Sequence, residues 1–146
     1  MFVRMELSRI LIRELTDMQV IELAEVLESD SDEQAEAEQA RRTFPIVIGL
    51  PEAQAIERRL KGVVVKRPQT HELLASVITT LGGKLKSVTI NDLSEHTFYA
   101  TLDVERDGEL VHIDSRPSDA IALGVAANVP IFVEESVLEA AMSEEA

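Results

Sequence analysis

The chain contains no cysteine and no tryptophan, and aromatic residues make up only 3% of its 146 residues. Without cysteine it can form neither disulfides nor thiolate metal sites. No apolar run approaches the roughly 20 residues of a membrane-spanning helix. The first residues alternate between apolar and polar side chains, unlike a signal peptide. We therefore expect a cytoplasmic protein that does not span a membrane.

Basic residues are also scarce. The chain has 14 lysines and arginines against 27 acidic residues, which gives a formal net charge of −13. This balance argues against a broad basic face that grips nucleic acid along its backbone. Residues 28–40 hold six acids and no base, so like-charge repulsion predicts a solvated, acidic loop insertion there.

Hydrophobic residues make up 45% of the chain, enough for a single globular domain over residues 1–146. Alternating apolar and polar residues predict strands at 2–13 and 19–26 and around Val88, Phe98 and Val111. A compact apolar run predicts a buried strand at 44–49, and 129–133 is expected to form a last short strand. Helical spacing predicts helices at 51–60, from residue 70 to 81, and from Pro117 to Ala127, with a final turn or two near Leu138. This order predicts an α+β fold, in which helices pack on one side of a mostly antiparallel or mixed sheet.

Several local signals sharpen this prediction. A slip in the alternation near Ser8 predicts a β-bulge. Asp107-Gly108 is typical of a two-residue hairpin turn, and Asn128 of a left-handed helix C-cap. Thr70 is expected to cap a helix with a strong amphipathic stripe. The apolar members of that stripe are Leu73, Leu74, Val77, Ile78 and Leu81. The acidic tail at 143–146 is expected to fray.

The stretch 114–120 forms a strand-to-helix corner that carries Asp114, Arg116 and Asp119. Two carboxylates could hold a divalent cation, Mg²⁺ or Mn²⁺, while the guanidinium stabilises developing negative charge. In the structural alternative, Arg116 pairs with Asp114 and Asp119 merely supports the helix start. Ser115 and Ser118 are interpreted as helix caps rather than nucleophiles, since the sequence shows no general base and orienting group beside either serine.

His71 falls in the first turn of its helix, where it could act as a general base or metal ligand, or simply be solvated. Arg67, Lys84 and Lys86 are the basic residues that we expect to contact phosphates, with Arg58, Arg59 and Lys61 interpreted as a solvated helix face.

Four stretches of the chain resemble a known family. They are 42–49 with 52–56 close behind, 67–73, 114–123 and 129–133. Over roughly residues 41–134 the sequence is similar to the bifunctional nuclease family, small bacterial and plant proteins credited with both DNase and RNase activity. Where similar proteins join two strands by a short turn, this chain carries the acidic tract 28–40. A mobile anionic loop would repel nucleic acid and could act as a gate.

The resemblance implies a nuclease that acts on DNA and RNA. In the mechanism we expect, a cation held by Asp114 and Asp119 activates water and Arg116 stabilises the charge of the phosphorane-like transition state. The alternative is a non-enzymatic, homo-oligomeric binding or regulatory module. Exposed apolar strand edges predict a homo-oligomer under either function, most simply a two-fold dimer.

Overall fold

The computed structural model describes residues 1–13, 15, 18–26 and 41–145, and only the backbone of residues 144 and 145. Seven strands and four helices follow one another in this part of the chain. The strands are β1 (Phe2–Leu11), β2 (Gln19–Glu25), β3 (Thr43–Ile48), β4 (Lys84–Ser94), β5 (Thr97–Arg106), β6 (Glu109–Ser115) and β7 (Ile131–Glu134). The helices are α1 (Leu50–Lys61), α2 (Thr70–Thr80), α3 (Pro117–Ala127) and α4 (Glu135–Glu145).

The strands form one sheet in the order β3-β2-β1-β7-β4-β5-β6. Every neighbouring pair is antiparallel except β4 and β7, which run parallel. The sheet therefore consists of two antiparallel halves, β1 to β3 and β4 to β6, and the short strand β7 joins them. Mixed strands with helices between them confirm the α+β prediction.

The core lies on one face of this sheet. Met5, Leu23, Val88 and Leu102 are buried there, and the apolar side chains of the helices pack onto the same cluster. The sheet curls strongly around the core, because the ring of Phe44 on the edge strand β3 lies 5.5 Å from that of Phe98 on β5. The curl brings the outer end of β3 close to the β4–β5 hairpin.

Arg59 ties the three helices α1, α2 and α3 together. Its side chain is only 10% exposed, donates from Nε to the carbonyl of Ala122 on α3 at 2.8 Å, and pairs with Glu72 on α2 at 3.0 Å. Gly124 lets α3 approach β4, since a Cβ at this position would lie 3.3 Å from Val88. The interpretation of Arg59 as part of a solvated helix face was therefore wrong, because burial and two partners hold it between helices.

Several turn predictions are confirmed. The pairing of β1 with β2 slips between Leu7 and Arg9, which places the bulge at Ser8. Asp107 and Gly108 both have positive φ, at 52° and 79°, as the tight β5–β6 hairpin requires. Asn128 is the left-handed C-cap of α3.

The prediction for α2 was partly wrong. Gln69, not Thr70, is the N-cap residue, and the Glu72 carboxylate accepts its backbone N–H at 3.1 Å. Leu74 and Ile78 pack against the core, but Leu73, Val77 and Leu81 are exposed. The stripe is wider than the face that α2 turns to the sheet, so part of it lies on the surface.

The acidic insertion at 28–40 lies outside the described residues, as do residue 146 and the side chains of 144 and 145 in the predicted frayed tail. The insertion and the frayed tail stay predictions. No helix among the described residues is long and apolar enough to span a membrane.

Candidate active site

The first turns of α1, α2 and α3 converge on one pocket of about 380 Å³. Its lining residues are Pro51, Glu52, Gln54, Ala55, Arg58, Gln69, Thr70, His71, Leu74, Arg116 and Asp119. The N-terminal end of a helix carries a partial positive charge and unsatisfied N–H groups. Three such ends at one pocket favour an anionic ligand.

Asp119 is the central group of this pocket. Its Oδ2 accepts a hydrogen bond from Arg116 Nε at 2.8 Å, and its Oδ1 accepts from Arg116 Nη2 at 3.1 Å. The same Oδ1 lies 2.8 Å from His71 Nε2. Burial of the carboxylate opposes ionisation, but the hydrogen bonds from Arg116 and His71 outweigh it and lower the pKa of Asp119. Asp119 is therefore an ionised acceptor.

An ionised Asp119 fixes the tautomer of His71. The carboxylate can only accept, so His71 donates its Nε2 proton, and in the neutral form of the ring the lone pair is on Nδ1. No group in the described residues hydrogen-bonds this Nδ1. The ring is largely buried, with 11% of the side chain exposed, yet it lines the pocket. An oriented imidazole with one unused lone pair is the arrangement of a general base.

Arg116 reaches the same pocket from the N-cap of α3. Besides Asp119, its Nη2 pairs with Glu52 Oε1 at 3.0 Å, and these interactions raise the pKa of its guanidinium. The side chain is still 63% exposed, and its Nη1 has no partner among the described residues. Two carboxylates thus hold the guanidinium in place and leave its Nη1 edge open to a further acceptor.

The sequence prediction named His71, Arg116 and Asp119, and the structure brings these three together. The alternative pairing of Arg116 with Asp114 was wrong, because Arg116 pairs with Asp119 and Glu52. Ser115 donates to the carbonyl of Arg116 and neither serine caps α3, so the capping prediction was also wrong. Sequence reasoning missed Glu52, whose one signal was its position in the first turn after Gly49-Leu50-Pro51.

Asp114 lies apart from this cluster. It is an exposed residue of the edge strand β6, opposite Thr101 of β5, and does not line the pocket. Both oxygens of Asp119 are already engaged. No group of three or more histidines and acids that could hold a metal ion occurs in the part of the chain that the structure describes. As arranged here, these side chains do not fit a divalent cation shared by Asp114 and Asp119, and that site stays a prediction.

The three basic residues predicted to contact phosphates also lie outside the pocket lining. Lys84 lies beyond the C-terminal end of α2, about 16 Å along that helix from the pocket end. Lys86 pairs with Glu105 at 4.0 Å. Arg67 comes two residues before Gln69, which does line the pocket, so their Cα atoms are at most about 7.6 Å apart.

The chain is thus an α+β protein with a pocket at three helix N-termini, and an Asp–His pair and an arginine held by two carboxylates line that pocket. Residues 35–146, more than half of the chain, match the model of the bifunctional nuclease domain. The chain belongs to this family.

The chain is also similar to three curated proteins. Two uncharacterized proteins of Mycobacterium tuberculosis, from strains CDC 1551 / Oshkosh and ATCC 25618 / H37Rv, are each 46% identical over 97 residues. The match covers 66% of this chain and 57% of each relative. Bifunctional nuclease 2 of Oryza sativa subsp. japonica is 29% identical over 97 residues, which cover 64% of this chain and 30% of the rice protein. The chain thus spans only part of the length of the relatives that it matches.

Proposed function

We propose that the chain is a nuclease that hydrolyses phosphodiester bonds of DNA and RNA in the pocket between α1, α2 and α3. The observation that carries the proposal is the chain of hydrogen bonds from His71 through Asp119 to Arg116 on the wall of that pocket. The family and the name of the rice relative support a phosphodiester substrate.

In the proposed reaction, the phosphate lies against the open edge of Arg116 and the N-termini of the helices. His71 Nδ1 takes a proton from water, whose oxygen forms a new bond to phosphorus. The ester P–O bond breaks on the opposite side of phosphorus, the leaving oxygen takes a proton from solvent, and His71 then releases its proton to solvent. Asp119 keeps His71 oriented and stabilises its transient positive charge, while Arg116 stabilises the added charge on the phosphoryl oxygens.

Cleavage of labelled DNA and RNA oligonucleotides tests this proposal. We expect cleavage by the wild type and its near loss in Asp119→Asn, because Asn cannot accept from both Arg116 and His71 in the same way. Equal cleavage by a folded Asp119→Asn protein would exclude this pocket as the centre.

The predicted Mg²⁺ or Mn²⁺ site at Asp114 and Asp119 needs its own test. Binding of Mn²⁺ to wild type, Asp114→Asn and Asp119→Asn, followed by electron paramagnetic resonance, separates metal binding from activity. If these two residues share a cation, each variant weakens binding. Equal Mn²⁺ binding by all three proteins would reject the pair as ligands.

A homodimer through α2 is also proposed. Leu73, Val77 and Leu81 recur at i, i+4 and i+8 and are 54%, 43% and 65% exposed. Residues 73–83 carry no charge, so a second copy of a chain with net charge −13 meets little repulsion there.

Sedimentation tests this dimer. The wild type should sediment as a dimer and Val77→Asp as a monomer. Leu110→Asp, a change at an exposed residue of the edge strand β6, is the matched control and should leave the dimer intact. A monomeric wild type would contradict the proposal.

A further inference from the structure

Arg116 lies between two pockets rather than in one. It lines the pocket at the helix N-termini, and it also lines a second pocket of about 490 Å³ on the other side. The second pocket is built from β3, the β4–β5 turn and the start of α3. Its lining residues are Pro45, Ile46, Val47, Ile48, Gly49, His96, Thr97, Phe98, Arg116, Pro117 and Ser118.

The two pockets suit the two sides of a phosphodiester. Both volumes fall in the range of roughly 300–1,000 Å³ that small-molecule sites occupy. The second pocket offers the half-buried ring of Phe98 and the aliphatic side chain of Val47, surfaces on which a base can pack. A phosphate at Arg116 would therefore have room for one nucleoside on each side.

Beyond these pockets, the protein offers few cations to further phosphates. All lysines and arginines lie among the described residues, and most pair with a carboxylate. Those without a carboxylate partner in this part of the chain are Arg4, Lys66, Arg67 and Lys84. Of these, Lys66 and Arg67 immediately precede the pocket residues Gln69 and Thr70, whereas Lys84 lies at the far end of α2 and Arg4 on β1.

We propose, on the basis of the proposed nuclease function, that the substrates are short oligonucleotides bound over a footprint of two nucleosides. One nucleoside occupies each pocket, the scissile phosphate lies at Arg116 between them, and at most one or two neighbouring phosphates meet Lys66 and Arg67. A long polymer then gains nothing over a fragment of a few nucleotides, because no cationic track continues beyond this point.

The salt dependence of binding measures how many phosphates the protein contacts. Each phosphate contact on a single strand contributes about −0.7 to the slope of log affinity against log salt. Two or three contacts predict a loss of about 7- to 18-fold between 50 and 200 mM salt. A track of ten contacts would lose about 10⁴-fold over the same range.

A length series from two to about twenty nucleotides tests the proposal. Affinity is measured by fluorescence anisotropy with His71→Ala, which leaves the ligand intact, and kcat/KM with the wild type. Affinity and kcat/KM, each divided by the number of phosphodiester linkages in the ligand, should stop rising at a length of about four nucleotides. A continued rise to the longest ligand, or a salt loss near 10⁴-fold, would overturn the footprint.

Two pairs of variants locate the footprint. Thr97→Glu places a charge in the second pocket and should weaken dinucleotide binding about tenfold, whereas Ser136→Glu, on the exposed start of α4, should not. Lys66→Ala with Arg67→Ala should reduce the salt slope by up to about 1.4, and Lys84→Ala should leave it unchanged. Equal effects of variant and control in either pair would contradict the assignment.

The outcomes separate the two proposals. A plateau in affinity without any cleavage would reject the nuclease function and support the footprint. Cleavage with affinity that grows along the whole series would do the reverse. No binding at any length would overturn both.

Discussion

Two Asp–His pairs with the same 2.8 Å contact lie in the part of the chain that the structure describes, one at the pocket and one in the sheet. In the pocket, Asp119 holds His71 through Nε2 and also holds Arg116. In the sheet, Asp103 meets His112 through Nδ1. Asp103 alternates with the core residues Leu102 and Val104, so it lies on the sheet face opposite the core, yet its own side chain is only 4% exposed.

The two pairs differ in the other groups that donate hydrogen bonds to each carboxylate. Asp103 also accepts hydrogen bonds from Ser87, Thr89 and Thr101, at 2.7, 2.7 and 2.9 Å. Burial opposes its ionisation, but these bonds and the one from His112 lower its pKa. Its partners tie β4, β5 and β6 together and present no held cation. An Asp–His pair therefore suits catalysis when a pocket and an arginine adjoin it, and stability when hydroxyl groups saturate it.

The sharpest comparison is between the two histidines. His71→Ala should lower kcat/KM for oligonucleotide cleavage by about 10²–10⁴-fold, because it removes the proposed general base. His112→Ala, matched in chemistry and outside the pocket, should leave kcat/KM within about twofold. Circular dichroism controls for folding. Equal losses in both variants would remove the distinction between the two pairs.

The next largest effect on catalysis is expected at Arg116, which pairs with Asp119 of the pocket. Arg116→Lys keeps the positive charge but cannot bind Asp119 through two nitrogens while an edge faces the phosphate. We expect kcat to fall by about 10²–10³-fold, as for the loss of one transition-state donor. Arg106→Lys, on the exposed end of β5, is the control. Unchanged kcat in Arg116→Lys would show that a point charge suffices.

For the free energy of unfolding, we expect the sheet pair to matter more than the pocket pair, the reverse of the order expected for catalysis. Asp103→Ala leaves three hydroxyl groups and His112 without their acceptor, and should lower the free energy of unfolding by about 3 kcal/mol. Asp119→Ala removes a carboxylate with 25% exposure and should cost less. Urea unfolding measures both. A larger loss for Asp119→Ala would contradict the structural assignment of Asp103.

The smallest effect is in the pH dependence of stability. Both aspartates have pKa values lowered from the ordinary 3.8, so each stabilises the fold above that pH and loses its contribution as the pH falls toward the lowered value. The advantage of wild type over Asp103→Asn in urea unfolding should therefore shrink between about pH 5 and pH 3. A constant difference over this range would show that the pKa of Asp103 is not lowered by folding.

Local chemistry made much of the fold predictable. The alternation of apolar residues, Asp107-Gly108 and Asn128 act through their immediate neighbours, so the strands, the hairpin and the end of α3 followed from the sequence. The exposed positions Leu73 and Val77 did not, because the depth to which a helix docks depends on partners elsewhere in the chain.

The same limit applies to the two Asp–His pairs. Asp103 and His112 lie on the two strands of a predictable hairpin, so the sequence allows their pairing across the strands to be predicted. His71 and Asp119 are 48 residues apart on different helices, and the packing of α2 and α3 with α1, which Arg59 bridges, brings them together. Sequence chemistry could thus name the candidate residues His71, Arg116 and Asp119, but not the hydrogen bonds that connect them or the contact of Arg116 with Glu52.

The four-residue strand β7 has a consequence for how this protein is made. Each half of the sheet is continuous in sequence, but β1 and β4 keep one open edge until residues 131–134 are available. During synthesis, at about 5–20 residues per second, these edges stay unpaired for seconds after their halves emerge. Open edges recruit other strands. The period before β7 inserts is therefore when this chain is most prone to aggregate and has most to gain from a chaperone.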